Sequence, residues 1–312
     1  MNILMIGHSR SGKTSYMAGL YKLYGDDPKG FGLWMSDSSK SKKLKSLGLN
    51  IDRGIYPEGT DIAAEYNFWL QYENSLLIPF NWYDYRGGAL LESSKNSKDA
   101  QTLVDKINNA DALIVFLDGE KITSLTDDDL EEEYEVLMWA IQKSISKRAS
   151  DGHYFPVSII ITKGDLYSDY SVLYDSPGIH FFMPLVKNIA QSDVASGMIG
   201  IVEVSPDGIF NVFSPLIFSL YYGMHHYVEQ RVASINSEIE KINKLDLGTI
   251  NEICHKLDKW LGYTYKSDRE KAAECLKRIE EEKNRLQELE SLSEVMQKII
   301  EQMVEKNLII RF

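Results

Sequence analysis

Short unbroken apolar runs alternate, over the first two thirds of the chain, with stretches whose apolar residues recur every three or four positions. The runs fall at Asn2-Ile3-Leu4-Met5-Ile6 and at residues 76–83, 112–117, 157–162 and 199–204. Runs of this length without polar alternation predict strands buried on both faces, and the intervening segments predict helices. Residues 66–72 read as an additional antiparallel edge strand. This βαβ rhythm predicts a doubly wound, mostly parallel sheet with ligands bound at the carboxyl ends of its strands.

From about Asn211 the pattern changes to helical periodicity, and no further strand is expected. Val228, Val232, Ile235, Ile239 and Ile242 form one stripe, and Leu289, Leu292, Met296, Ile299 and Met303 form another. Such stripes suit seams between helices. Gly248 interrupts the first run and Gly262-Tyr263-Thr264 the second, which predicts two long helices separated by a short one. The expected organisation is a sheet domain over residues 1–225 and a helical extension over 226–312, either a helical hairpin packed on itself or the sheet domain, or a dimerising coiled coil.

Composition narrows the partners. A chain of 312 residues, 44% of them apolar, buries a sizeable core. Its apolar stretches fall short of the roughly 18 residues a membrane helix needs, and a strand beginning at residue 2 leaves no room for a leader peptide. A soluble, cytoplasmic protein without membrane insertion is therefore expected. Cys254 and Cys275, the only cysteines, are too few for a disulfide framework and wrongly spaced for zinc. A net charge of −12 argues against nucleic acid or an anionic membrane as partner. Lys40, Lys42, Lys43 and Lys45 are a local exception, read as a solvated loop or short surface helix rather than an anion site. The acidic runs Asp127-Asp128-Asp129 and Glu131-Glu132-Glu133 read as opening an enlarged helix.

Three motifs carry chemistry. Gly7-His8-Ser9-Arg10-Ser11-Gly12-Lys13-Thr14 fits G-x-x-x-x-G-K-[ST] between the first strand and the first helix. Glycines let backbone N–H groups turn inward around a phosphate, Lys13 reaches the β- and γ-phosphates, and the Thr14 hydroxyl can ligate Mg²⁺. Nucleotide contacts are accordingly expected at Gly7, Ser9, Arg10, Ser11, Gly12, Lys13, Thr14 and Ser15. The second motif, Asp84-Tyr85-Arg86-Gly87, fits D-x-x-G after the strand of residues 76–83. A carboxylate at a strand end can hold Mg²⁺ through water, and the glycine can offer its N–H to a γ-phosphate. The third, Thr162-Lys163-Gly164-Asp165, fits [NT]-K-x-D directly after a buried strand. One carboxylate, Asp165, can accept both N1–H and the 2-amino group of guanine, which adenine does not offer. The stem of Lys163 can lie along the base.

With these motifs in this order the chain resembles the Ras-like GTPases of the TRAFAC class of P-loop proteins over roughly residues 1–225. The resemblance implies a three-layer P-loop NTPase sandwich with a C-terminal α-helical extension, binding GTP or GDP with Mg²⁺. It further implies a metal-ligating switch threonine, for which Thr60 is the candidate, and a metal role for Asp84 beside Thr14. A serine after the last strand is also implied, at Ser205, although the following Pro206 has no N–H to give the guanine oxygen. The 46 residues from Thr14 to Thr60 exceed the family's usual interval, and with the helical tail are similar to GTPases of bacterial multi-component or conflict systems.

Gly88 stands where many members carry a water-positioning glutamine, which predicts slow hydrolysis unless another group substitutes. Arg86, Arg53, His8 and Arg10 are candidates, as is an arginine from a second subunit or an activating protein. The leading expectation is a GTP-hydrolysing switch that signals to a protein effector or regulator, with a homodimer open. A GTP-binding scaffold without turnover, and a P-loop ATPase using Asp118 and Glu120, are the alternatives.

Overall fold

The structure, a computed structural model, describes residues 1–25, 30–58, 64–73, 75–85, 95, 97–151, 154–242 and 271–312. It divides into two compact units, residues 1–223 with 298–312, and residues 224–297.

The first unit contains an eight-stranded sheet among the described residues. Its elements in chain order are β1 (Asn2–Ile6), α1 (Lys13–Tyr24), β2 (Phe31–Trp34), α2 (Ser38–Ile51), β3 (Ala64–Tyr72), β4 (Ser75–Asp84), α3 (Lys98–Asn108), β5 (Ala112–Asp118), α4 (Gly119–Ser124) and α5 (Asp127–Asp151). There follow β6 (Phe155–Thr162), a 3-10 turn (Gly164–Leu166), α6 (Ser171–Tyr174), α7 (Pro177–Ala190), β7 (Ala195–Ile201) and the hairpin β8 (Glu203–Ser205) to β9 (Gly208–Phe210). Two long helices, α8 (Ser214–Ile242) and α9 (Lys271–Glu305), precede β10 (Ile309–Arg311).

Strand order is β10-β7-β6-β5-β1-β4-β3-β2. The five central strands are parallel; β3, β2 and β10 pair antiparallel at the edges. The central strands are mostly apolar because helices cover both faces, as parallel sheets require. Leu4, Ile6, Leu113, Val115, Leu117, Ile159 and Ile161 face a core shared with Leu103, Val104 and Ile107 of α3, Leu137 and Ile141 of α5, and Phe182 and Leu185 of α7. On the opposite face Tyr16 of α1 meets the Trp82 and Phe116 rings edge-on at 5.9 and 5.2 Å, and Ser219 of α8 lies 3.3 Å from Ser158 of β6. The first unit is a three-layer α/β sandwich whose sheet is mostly parallel.

Several expectations need correction. The chain does not stay helical to its end: residues 309–311 return as β10 on β7, and Phe312 and Gly197 exchange backbone bonds of 2.7 and 2.9 Å. Three residues give too short an apolar run to register as a strand; the open edge of β7 completes it. The last parallel strand runs over Ala195–Ile201, not 199–204, because its register is set by β6, Phe155 opposite Ala195. The lysine-rich segment is a full helix, α2, capped by Asp37, whose carboxylate accepts from the N–H groups of Ser39 and Lys40. The strand β2 before it was not anticipated. The acidic run does open an enlarged helix, α5, of 25 residues.

In the second unit, Val228 and Ile235 of α8 are buried, as are Leu286, Leu289, Leu292 and Met296 of α9. The segment with Gly248, Cys254 and Gly262 lies outside the described residues.

Candidate functional site

The order of the strands reverses at β1, with β4 on one side and β5 on the other, so a crevice opens beyond their carboxyl ends. The loop between β1 and α1 fills that position. Gly12 takes φ +82° and sits at the N-terminus of α1, which has no side-chain cap. By contrast α2, α3 and α7 are capped by Asp37, Ser97 and Ser176. The first N–H groups of α1 are therefore left without side-chain acceptors, and the positive end of the helix dipole lies with them.

Lys13 begins this helix and is almost fully buried. Its ammonium donates to the carbonyls of Gly7 and His8 at 2.8 and 2.9 Å, so the side chain folds back along its own loop. Burial lowers its pKa, and the Asp84 carboxylate works against that shift. Asp84, at the end of β4, is 4% exposed and one of its oxygens has no hydrogen-bond partner. Burial pushes its pKa up to about 6, opposed by Lys13. Arg10 lies at the crest of the loop with φ +65°, a left-handed conformation that costs a residue carrying a Cβ roughly 1–2 kcal/mol.

The third motif arrives from the end of β6. The Thr162 hydroxyl lies 3.1 Å from the Ser11 carbonyl and 3.1 Å from that of Leu117, joining the loop to β5. Lys163 takes φ +59° and its ammonium bridges Asp118 at 2.8 Å and Glu120 at 3.0 Å. Asp118 also caps α4 by accepting from the Glu120 N–H. Both carboxylates of the ATPase alternative are thus held by Lys163. Gly164 admits no side chain, since a Cβ there would stand 2.6 Å from Ile201 and 2.9 Å from Glu203. Asp165 follows in the 3-10 turn, its pKa raised by desolvation.

One cleft of about 880 Å³ is lined by residues 9–16, Tyr56, Pro57, Glu58, Glu120, Thr162, Lys163, Asp165, Leu166, Val202 and Val204; Gly7, Asp84 and Asp118 are not part of that lining. The first and third motifs, some 150 residues apart, meet there. Ser205 is buried in the β8–β9 hairpin, where its hydroxyl donates to the Gly208 carbonyl at 3.4 Å. His8 turns away from the cleft. It is 1% exposed, packs edge-on against Tyr134 at 4.9 Å, and is held neutral, its pKa pushed down to about 3 by burial and by Lys121 and Lys13. Thr60, Arg86, Gly87 and Gly88 lie outside the described residues.

Sequence reasoning did not single out Tyr56, Pro57 and Glu58 as a cleft wall, nor Val202 and Val204. Tyr56 is 47% exposed, and its phenol pKa is raised by burial and by the neighbouring Asp165 and Asp207. An aromatic-proline pair after a helix was the available signal.

No protein-family model and no curated protein matches the chain. Among solved structures it is similar to the GTPase-like domain of Saccharomyces cerevisiae Ski7 bound to GTP, with 14% identity and a TM-score of 0.40 over 66% of this chain and 42% of that one. It is similar to the small COPII coat GTPase SAR1 of Encephalitozoon cuniculi in complex with GDP, with 11% identity and a TM-score of 0.33 over 74% and 82% of the two chains. It is similar, too, to the signal recognition particle receptor SRb-GTP/SRX complex of Chaetomium thermophilum, with 16% identity and a TM-score of 0.36 over 60% and 82%. The chain spans less than half the length of the Ski7 chain. At such identities no residue role carries over. Strand order, the β1–α1 loop and the cleft themselves define an α/β fold of the P-loop NTPase type.

Proposed function

We propose that the chain binds a guanine nucleoside triphosphate with Mg²⁺, hydrolyses its β–γ phosphoanhydride, and reports the nucleotide's state to protein partners through its cleft segments and helical unit. The observation that carries the reading is the Thr162–Ser11 hydrogen bond, which ties a phosphate-type loop to a purine-type loop across one cleft.

Lys13 would exchange the Gly7 and His8 carbonyls for β- and γ-phosphate oxygens, a stronger charge-assisted pairing. The bare N-terminus of α1 would take the β-phosphate. Asp165 would accept from the guanine N1–H and 2-amino groups, while Asp118 and Glu120 hold the Lys163 head so that its stem lies along the base. Mg²⁺ fits the donors present. No cluster of three His, Cys, Asp or Glu side chains able to hold a metal occurs among the described residues, so the ion would be held by Thr14 and the phosphates. The unpartnered oxygen of Asp84 would accept from the ion's water shell. When bound, the ion neutralises charge on the β- and γ-phosphate oxygens.

Connectivity supports the signalling role. The chain leaves the eight-stranded sheet after β7 and re-enters it as β10. Asn211 donates to the carbonyls of Ile201 and Leu308 at 2.8 and 2.9 Å, tying the end of β7 to the start of β10. No helix among the described residues is long and apolar enough to cross a membrane.

Isothermal titration with GTP and ATP in magnesium tests the reading. GTP is expected to bind at least about 100-fold more tightly, because adenine leaves the Asp165 acceptor unpaired. Equal affinities, or heat from ATP alone, would remove it.

A further inference from the structure

We propose that Arg10 is a catalytic residue of the same chain, its guanidinium contacting the γ-phosphoryl group as it transfers. The proposal rests on the nucleotide reading above.

Three cations line the cleft, and two are committed. Lys13 is bound to two carbonyls, and Lys163 to Asp118 and Glu120. Arg10 lines the cleft three residues before Lys13, and among the described residues it makes no ion pair or hydrogen bond. Its backbone is left-handed, φ +65°. Glycine adopts that conformation freely, and glycines already occupy positions 7 and 12 of the loop. Strain of this kind, kept at a ligand loop around a charged side chain with no partner among the described residues, points to use of the side chain. The guanidinium stays protonated at any physiological pH, and its planar fork matches two phosphate oxygens at once. His8, the other basic residue of the loop, is buried, neutral and turned away from the cleft.

In the step itself a water oxygen bonds to the γ-phosphorus and the bond from that phosphorus to the β–γ bridging oxygen breaks. The electron pair goes to the bridging oxygen, now terminal on GDP, and the water's proton leaves with inorganic phosphate or solvent. Arg10 transfers no proton. It donates hydrogen bonds to the bridging and γ-oxygens, where charge accumulates.

The test uses the full chain with Mg²⁺ and GTP, comparing wild type, Arg10→Gly and Arg10→Lys. Glycine suits the backbone at this position, so Arg10→Gly should melt at or above the wild-type temperature. Its GTP and GDP affinities should stay within about tenfold of wild type, while its single-turnover hydrolysis rate falls about 10³-fold. Arg10→Lys should not restore the rate, because the fork is lost. The wild-type rate should be independent of protein concentration, and GDP with fluoroaluminate, a transition-state mimic, should bind wild type but not Arg10→Gly. Equal rates in wild type and Arg10→Gly overturn the proposal, as does a wild-type rate that climbs with protein concentration. GTP binding without hydrolysis in the wild type overturns it too and leaves the binding reading standing. Absence of GTP binding removes that reading instead.

Discussion

On the proposed reading, the end of the cleft that would take phosphates and the end that would take the base are built by different means. The phosphate end is eight consecutive residues, shaped by Gly12 and the bare start of α1, with Lys13 folded into its own loop. The base end is assembled from side chains at the ends of β5, β6 and β7 and from the distant Tyr56–Glu58 segment. A site made of local backbone fails or works as a whole. A site made of dispersed side chains changes what it reads when one of them changes.

The sharpest way to break this contrast is at the phosphate end. Lys13→Ala should abolish binding of any nucleoside triphosphate, at a cost of about 3–5 kcal/mol, the scale of removing one partner from a buried charge pair. Calorimetry with GTP, ATP and inosine triphosphate should show the same loss for all three. A loss confined to GTP would contradict the division of labour.

Asp84 yields the next largest effect, and its sign distinguishes binding from folding. Its carboxyl is pushed up to about 6 from 3.8 by burial, so between those values the folded state holds a proton that the unfolded chain has released. The carboxyl's contribution to the stability of the nucleotide-free protein therefore falls as pH rises from about 4 to 6, then levels off. The gap corresponds to at most about 3 kcal/mol at neutral pH, a net figure in which the opposing charge of Lys13 is already counted. Asp84→Asn should accordingly stabilise the empty protein at pH 7 in urea unfolding and flatten its pH dependence, while weakening magnesium-dependent GTP binding. Destabilisation at pH 7 would mean that the Lys13 pairing outweighs desolvation.

At the base end, Asp165→Asn should leave triphosphate binding intact and change its preference. Loss of the double acceptor should weaken GTP by about 2–3 kcal/mol and favour xanthosine triphosphate, whose ring offers an acceptor where guanine carries its amino group. Competition binding with the two nucleotides measures the exchange. Unchanged preference would place the base elsewhere.

The same contrast explains what the sequence disclosed. The parallel strands and the Gly7–Thr14 loop were legible because their signals are contiguous: unbroken apolar runs, and glycines at fixed spacing before a helix. Thr162 and Asp165 were legible as a motif, but the meeting of Thr162 with Ser11 depends on β5 lying between β1 and β6. Tyr56 and Val202 carried no such mark, since an aromatic or a valine in a loop reads as packing until the fold brings it to a cleft. The strand at 309–311 was hidden for a related reason. Its stability comes from the free edge of β7 and from the Phe312 ring seated against Gly197, neither of which is visible in Ile309-Ile310-Arg311 itself.

Thr162 joins the two ends, and its substitution should give the smallest effect and the finest test. Its hydroxyl is the only polar atom of the side chain, and it approaches carbonyls of both the phosphate loop and β5. Thr162→Val keeps the volume and removes that atom, leaving two buried carbonyls one partner short. The expected cost is about 1 kcal/mol of stability, read as a fall of a few degrees in melting temperature. If the two ends act as one site through this bond, GTP and ATP should both weaken slightly, with the preference between them reduced. If each end holds its own part of the nucleotide independently, stability will fall while the GTP-to-ATP ratio stays put, and the loop that reads the base would then need no link to the loop that holds the phosphates.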